Sequence, residues 1–209
     1  MDDVFAEIPF AIRGDKVALR RWAKARRANL DSPALSRRLT ERLQSLPELA
    51  GARKCALYLS MSDEIAVEEL VNAHDSPLSV QWYAPRCLPG RKLGFYRYIP
   101  GKTILQTSGF GVREPVPEDT AALSTEALDA VLVPALLLTP HGVRLGYGGG
   151  YYDRFLPQLR PGCVTIGVLP SELVVDELPQ DSWDIPLQIV VTEHLVYRRD
   201  SAAALRPIQ

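Results

Sequence analysis

Residues 130–156 read AVLVPALLLTPHGVRLGYGGGYYDRFL, and the order of features in this stretch decides the fold. The apolar run Val131–Leu138 is too short to span a bilayer and reads as a buried strand. Thr139, Pro140, His141 and Gly142 break it. Gly146-Tyr147-Gly148-Gly149-Gly150 then forms a glycine loop. Beyond it, Tyr151 with Phe155 and Tyr152 with Leu156 and Leu159 recur at helical spacing, which predicts a helix ending near Pro161. Strand, glycine loop, helix is the order of an α/β ligand site. Such a loop presents unpaired N–H groups and the positive end of a helix dipole, which suits an anion such as phosphate. Arg144 before the loop supplies a phosphate partner, and Asp153 after it a hard oxygen ligand suited to Mg²⁺. A tight glycine-rich turn, and a first-turn acid that only complements the dipole, are the plain alternatives. The loop is neither a P-loop nor a dinucleotide fingerprint: no Gly-Lys-Ser/Thr follows, and the glycines are adjacent.

On either side, apolar strands alternate with helices. The pattern predicts a Rossmann-like three-layer α/β sandwich, a mostly parallel sheet with helices on both faces. Expected helices cover Gly14–Asn29 (with Asp15 as cap or first-turn acid), Pro33–Leu46 (capped by Asp31 or Ser32) and Glu64–His74. Expected strands cover Lys54–Ser60, Leu78–Ala84, Leu93–Tyr98, Val164–Leu169, Gln188–Thr192 and Leu195–Tyr197. Gly109–Pro115 reads as a loop and 115–126 as an exposed linker. At 209 residues the chain is long enough for one sizeable core. We therefore divide it into a loose lead-in (1–12), a single domain (13–199) and a flexible tail (200–209).

In the first helix, Val17, Ala18, Leu19, Trp22 and Ala25 form the expected apolar stripe. Lys16, Arg20, Lys24 and Arg27 form a basic stripe that faces either solvent or an anion. Residues 13–54 hold 12 of the 24 Lys and Arg against four acids, a balance that attracts a polyanion. Glu64 sits at a strand's carboxyl end, where open α/β sheets bind ligands, or is simply a first-turn acid of the following helix. Arg86 sits at an expected strand end and meets an anion or solvent. Asp184 is either a metal ligand or a turn residue.

The whole-chain charge of −1 argues against a nucleic-acid or membrane binder. No leader peptide or membrane span is expected, and three scattered cysteines suit a reducing cytoplasm. No His or Cys spacing suggests zinc.

Arg144 to Leu156, with Val133-Pro134-Ala135 and Gly142 before it, resembles the signature of the 5-formyltetrahydrofolate cyclo-ligase (5,10-methenyltetrahydrofolate synthetase) family. The similarity extends over residues 14–197. It takes in Lys16 with Arg20, the segment Leu59–Ile65, Pro85-Arg86 and Phe110–Pro115. The resemblance implies ATP-dependent cyclisation of 5-formyltetrahydrofolate with Mg²⁺, in the cytoplasm, by a monomer. It further implies ATP contacts from Lys16, Arg20, Arg144, Leu145, Gly146, Tyr147, Gly148, Gly149, Gly150, Tyr151, Tyr152 and Asp153, with Lys16 and Arg144 catalytic. Leu59, Glu64, Arg86, Tyr147, Tyr151 and Tyr152 are implied at the folate, and Asp153 and Asp184 at the metal. Two departures are Leu93 where Met is frequent and Trp183 where His is. A regulatory binding module or another small-molecule kinase on the same fold are the rival readings. The intact Lys16, Arg20, Glu64, Arg144 and Asp153 set favours the enzyme.

Overall fold

Strands buried on both faces need apolar side chains at successive positions, and each face needs helices with an apolar stripe to cover it. The computed structural model describes residues 5–72, 80–109, 111–117, 121–199 and 206–208, with only the backbone of Asn72 and of 206–208. The elements in chain order are α1 (Lys16–Arg27), α2 (Ser32–Gln44), α3 (Pro47–Ala50), β1 (Lys54–Ala56), α4 (Glu69–Asn72), β2 (Gln81–Leu88) and β3 (Lys92–Arg97). A hairpin of β4 (Leu105–Thr107) and β5 (Arg113–Pro115) follows, then β6 (Ala130–Val133), β7 (Leu137–Leu138), β8 (Arg144–Leu145) and α5 (Tyr151–Phe155). The last strands are β9 (Val164–Val168), β10 (Ile189–Val191), β11 (Val196–Arg198) and β12 (Arg206–Ile208).

The main sheet has eight strands in the order β12-β11-β10-β9-β6-β1-β2-β3. Its five central strands, β10 to β2, run parallel. Antiparallel strands flank them: β3 on one side, β11 and β12 on the other. Side chains alternate between two cores. Val131 and Val133 pack with Leu19 and Ala23 of α1 and Phe155 of α5. Ala130 and Leu132 pack with Leu39 and Leu43 of α2, Leu49 of α3 and Leu70 of α4. This is the expected three-layer sandwich. No helix among the described residues is long and apolar enough to cross a membrane.

From β1 the chain moves to β2 on one side, and it later returns to lay β6 on the other side of β1. The carboxyl ends of β1 and β6 therefore flank a topological switch point, where the loops part and leave room for a ligand.

Several boundaries differ from expectation. The run Val131–Leu138 is not one strand. It breaks at Pro134 and Ala135, and Leu137-Leu138 turns out of the sheet to pair with Arg144-Leu145. Proline cannot donate to the ladder and its fixed φ favours such an exit. Lys54–Ser60 pairs only as far as Ala56, although Leu57, Tyr58 and Leu59 stay buried. The helix expected over Glu64–His74 is confined to α4, and Glu64 sits in a turn; His74 lies outside the described residues. The expected helix after Tyr151 is α5 plus one 3-10 turn over Leu156–Gln158, with Pro157 inside it.

Residues 109–115 are not a plain loop, because 113–115 form β5, but Phe110 lies outside the described residues. The linker is tied down where Leu123 N–H donates to Phe95 O at 2.8 Å. In the lead-in, Ala6 and Ile8 are buried and Ala6 N–H donates to Val174 O at 2.9 Å. In the tail, 206–208 run antiparallel to β11.

Candidate active site

The site begins with the register of α1. Asp15 caps the helix, accepting from Val17 N–H at 2.7 Å and Ala18 N–H at 3.1 Å. That start puts Lys16, Arg20, Lys24 and Arg27 along one face, three and four residues apart. The face meets the glycine loop and a late turn, although Lys24 stays exposed. Lys16 Nζ pairs with Asp181 Oδ2 at 2.7 Å and Asp184 Oδ2 at 3.0 Å. Arg20 Nε donates to Gly146 O at 2.9 Å. Lys24 Nζ lies 5.6 Å from the Tyr147 ring centroid. Arg27 donates to the Tyr147 hydroxyl at 2.5 Å and to Ala135 O at 2.7 Å. The expected apolar stripe is corrected accordingly. Leu19, Ala23 and Arg27 are the buried residues of the helix, and Val17 is 53% exposed. A charged residue occupies an inward position because fixed acceptors meet it there.

The glycine loop leaves the β7–β8 hairpin. Gly148 has φ +96°, and a Cβ on it would lie 3.3 Å from the Arg20 guanidinium carbon. Only glycine gives both that backbone and that approach. Arg144 is ion-paired with Asp153. Arg144 and Asp153 line one crevice with Val143, Gln180, Asp184, Ile185 and Pro186. Arg144 Nε and the Tyr152 hydroxyl are buried without a hydrogen-bond partner among the described residues. Buried donors in that state are ready-made for an anionic or polar ligand. Burial works against the Lys16 charge, yet the bonds it donates to Asp181 and Asp184 outweigh this and raise its pKa.

Two carboxylates from separate elements, Asp153 of α5 and Asp184 of the turn before β10, thus share a crevice. Among the described residues no three His, Cys, Asp or Glu gather into a metal cage. Mg²⁺ usually binds through one or two carboxylates, with water and phosphate completing its shell, so this donor set fits it.

Across the switch point lies Glu64, buried in the turn after β1. Its Oε2 accepts from Met61 N–H at 2.9 Å, its Oε1 accepts from the Tyr147 hydroxyl, and Arg27 NH1 stands 3.7 Å away. Burial lifts its pKa above the ordinary carboxylate range, against the pull of Tyr147, Met61 N–H and Arg27. Burial also pushes the Tyr147 hydroxyl far up, so it stays protonated.

Two other candidates for the folate site, Leu59 and Arg86, sit differently from expectation. Leu59 is 1% exposed and packs in the core under α2, so it offers no surface to a ligand. Arg86 is not at a strand end. It lies inside β2 opposite Gly94, and its NH1 donates to Pro115 O at 2.7 Å, which anchors β5. Tyr151 reaches Cys87, whose thiol is pushed up to about 11 by burial and by Glu114. Tyr152 packs edge-on against Phe155 with centroids 6.0 Å apart, beneath the Arg144 guanidinium.

The structure adds Asp181, which shares Lys16 with Asp184, and Glu68, buried and paired with Arg113 of β5. Asp181 had a signal in Asp-Ser-Trp-Asp, where the first residue is spaced to bond the last. Its N–H donates to Asp184 Oδ2 at 2.8 Å. Glu68 had none.

The profile of the 5-formyltetrahydrofolate cyclo-ligase family matches residues 12–193. A 5-formyltetrahydrofolate cyclo-ligase of Haemophilus influenzae is 32% identical over 155 residues, 71% of this chain and 80% of that protein. One from Escherichia coli is 28% identical over 159 residues, 75% of this chain and 86% of that one. The NMR structure of Aquifex aeolicus 5,10-methenyltetrahydrofolate synthetase superposes with a TM-score of 0.74 at 31% identity, covering 91% of this chain and 96% of that one.

Proposed function

The chain belongs to the 5-formyltetrahydrofolate cyclo-ligase family, and from that premise we propose that it converts 5-formyltetrahydrofolate and ATP to 5,10-methenyltetrahydrofolate, ADP and phosphate. The observation that carries the site assignment is the meeting of two loops and a helix at the switch point. The glycine loop bears Tyr147, which bonds Glu64 beyond β1, while Arg20 of α1 holds Gly146 of the same loop. A nucleotide on that loop and a folate at Glu64 would be neighbours.

A formamide carbon is a poor electrophile because its oxygen is a poor leaving group. The formyl oxygen attacks the γ-phosphorus, and the bond to ADP breaks. N10 then attacks the formyl carbon and loses its proton, the carbon–oxygen bond breaks, and phosphate departs with the former formyl oxygen. Nothing in this sequence needs a protein nucleophile, so positioning and charge stabilisation are the enzyme's task. Lys16, Arg20 and Arg144 hold the phosphates and offset charge on the transferring group. Asp153 and Asp184 would hold Mg²⁺, which when bound would offset the charge of the phosphates. Glu64 accepts from N–H groups of the folate, with Tyr151 and Tyr152 beside it. All of these groups come from one chain, which supports a monomer as the catalytic unit.

The test is formation of methenyltetrahydrofolate by purified protein with and without ATP and Mg²⁺. Product that requires both is expected. Well-folded protein that binds ATP but forms no product would overturn the reading in favour of another acceptor.

A further inference from the structure

Arg27, the last residue of α1, has no part in the reaction just described. Yet it is only 4% exposed, and an arginine side chain stays charged wherever it is placed. Burying such a charge is costly unless acceptors are fixed around it. Its partners, two hydrogen-bond acceptors and one carboxylate at ion-pair distance, come from three places. The Tyr147 hydroxyl belongs to the glycine loop, Ala135 O follows β6, and Glu64 Oε1 follows β1.

The direction of the hydrogen bonds follows from donor arithmetic. A guanidinium only donates, so the Tyr147 hydroxyl must accept from Arg27. Its single proton is then free to point at Glu64 Oε1, which it also contacts. Tyr147 is thereby committed as a donor to Glu64. Lys24, on the same helix face, covers the tyrosine ring.

We infer that Arg27 is a positioning residue of the folate site, which orients the Tyr147 hydroxyl and keeps Glu64 an ionised acceptor for the N–H groups of the substrate. This rests on the reading of Glu64 as a substrate contact. The groups facing Glu64 are Arg27 from α1, Tyr147 from the glycine loop and Asp63 from its own turn. Tyr58 after β1 and Tyr152 of α5 share its field. Arg27 is the only cation among them. Burial already favours the protonated carboxyl, and Arg27 opposes burial. Without Arg27, Glu64 would take a proton at higher pH and present a donor where the folate needs an acceptor.

The experiment measures KM for 5-formyltetrahydrofolate and for ATP across pH in wild type, Arg27→Met, Arg27→Lys and Tyr147→Phe, with melting temperature recorded for each. Arg27→Met is expected to raise the folate KM about tenfold and the ATP KM far less. The pH below which the folate KM climbs should move upward in Arg27→Met and return most of the way in Arg27→Lys. Tyr147→Phe should move it in the same direction as Arg27→Met. A lowered melting temperature with an unmoved folate KM and unmoved pH midpoint would make Arg27 merely structural and overturn the inference. If Arg27→Met does not fold, Tyr147→Phe decides: an unmoved midpoint there overturns it equally. Absence of turnover by folded wild type would overturn the proposed function and this inference together, whereas normal wild-type turnover with unmoved variants overturns only this one.

Discussion

Lys16 Nζ lies 3.0 Å from Asp184 Oδ2, a pairing across 168 residues that ties the first turn of α1 to the last turn before β10. Asp181 takes the same ammonium at 2.7 Å. Our functional reading places Lys16 on phosphate and Asp184 on Mg²⁺. Each group thus holds the other in place in the free protein and must be released to its ligand.

The two aspartates should therefore separate on mutation. Asp184 lines the crevice with Asp153, and Asp181 does not. Asp184→Asn should raise the Mg²⁺ concentration for half-maximal rate about tenfold or more, the equivalent of about 1.4 kcal/mol. Asp181→Asn should leave it within about threefold, because losing a partly exposed ion pair costs under about 1 kcal/mol. Lys16→Ala should lower kcat/KM by about 10–100-fold, the worth of one charged hydrogen bond. Mg²⁺ titrations of the initial rate decide this. Equal shifts in both Asn variants would remove Asp184 from the metal.

Gly148 offers a test of the loop. At φ +96° an alanine is strained by about 1–2 kcal/mol, and its Cβ would press on the Arg20 guanidinium from 3.3 Å. Arg20 can swing away, so the protein should fold. It would then lose its bond to Gly146 O. Gly148→Ala should raise the ATP KM about tenfold while changing the folate KM much less. A larger rise for folate than for ATP would place the nucleotide elsewhere.

What could be read in the sequence divides along a physical line. Strands β9 and β10, the start of β6, an acid at each helix start and the glycine loop were legible because each depends on residues adjacent in the chain. The family resemblance singled out Lys16 and Arg20 with Arg144 and Asp153; of the two helix residues, Arg20 bonds the loop at Gly146 O, while Lys16 pairs with Asp181 and Asp184. What escaped depends on contacts between distant segments. The break at Pro134 looks apolar on both sides. The burial of Arg27 is set by Tyr147, Glu64 and Ala135, none of which is near it in sequence. Arg86 looked like a strand end because Pro85 precedes it. Nothing local shows that β2 continues to Leu88 by pairing with β3.

Away from the site, Glu48 of α3 and Arg198 of β11 form a two-pronged ion pair, at 2.8 and 3.2 Å. The bonds from Arg198 hold the Glu48 carboxyl below its usual pKa, against burial. A depressed carboxylate pKa gives stability that is fully present above the unfolded value, near 4.5, and lost as pH falls through the folded value. Glu48→Gln should thus cost about 1 kcal/mol or less at neutral pH. The gap to wild type should close in acid below the ordinary glutamate range. Urea melts at both ends of that range would expose an error, since a gap that stays constant with pH means the charge contributes nothing.

The hairpin that delivers Arg144 to the crevice hangs on Gly142. Its φ is +82°, and a Cβ there would sit 2.0 Å from Leu187 O. Gly142 O in turn accepts from Leu187 N–H at 2.8 Å, which pins the hairpin to the segment entering β10. Neither backbone has a flexible end that can move aside. Alanine must therefore bear the strain of positive φ, about 1–2 kcal/mol, and also disrupt a buried backbone pairing worth about another 1 kcal/mol. Gly142→Ala should lose about 3 kcal/mol in urea unfolding. Gly14→Ala, where an added methyl meets nothing within 4 Å, should stay within about 0.5 kcal/mol. Because Leu187 follows Asp184 by one turn of chain, the surviving folded Gly142→Ala protein should also bind ATP and Mg²⁺ more weakly. A variant as stable as wild type would mean the hairpin and the β10 entry are not held together in solution as they are here, and the shared crevice of Arg144, Asp153 and Asp184 would lose its support.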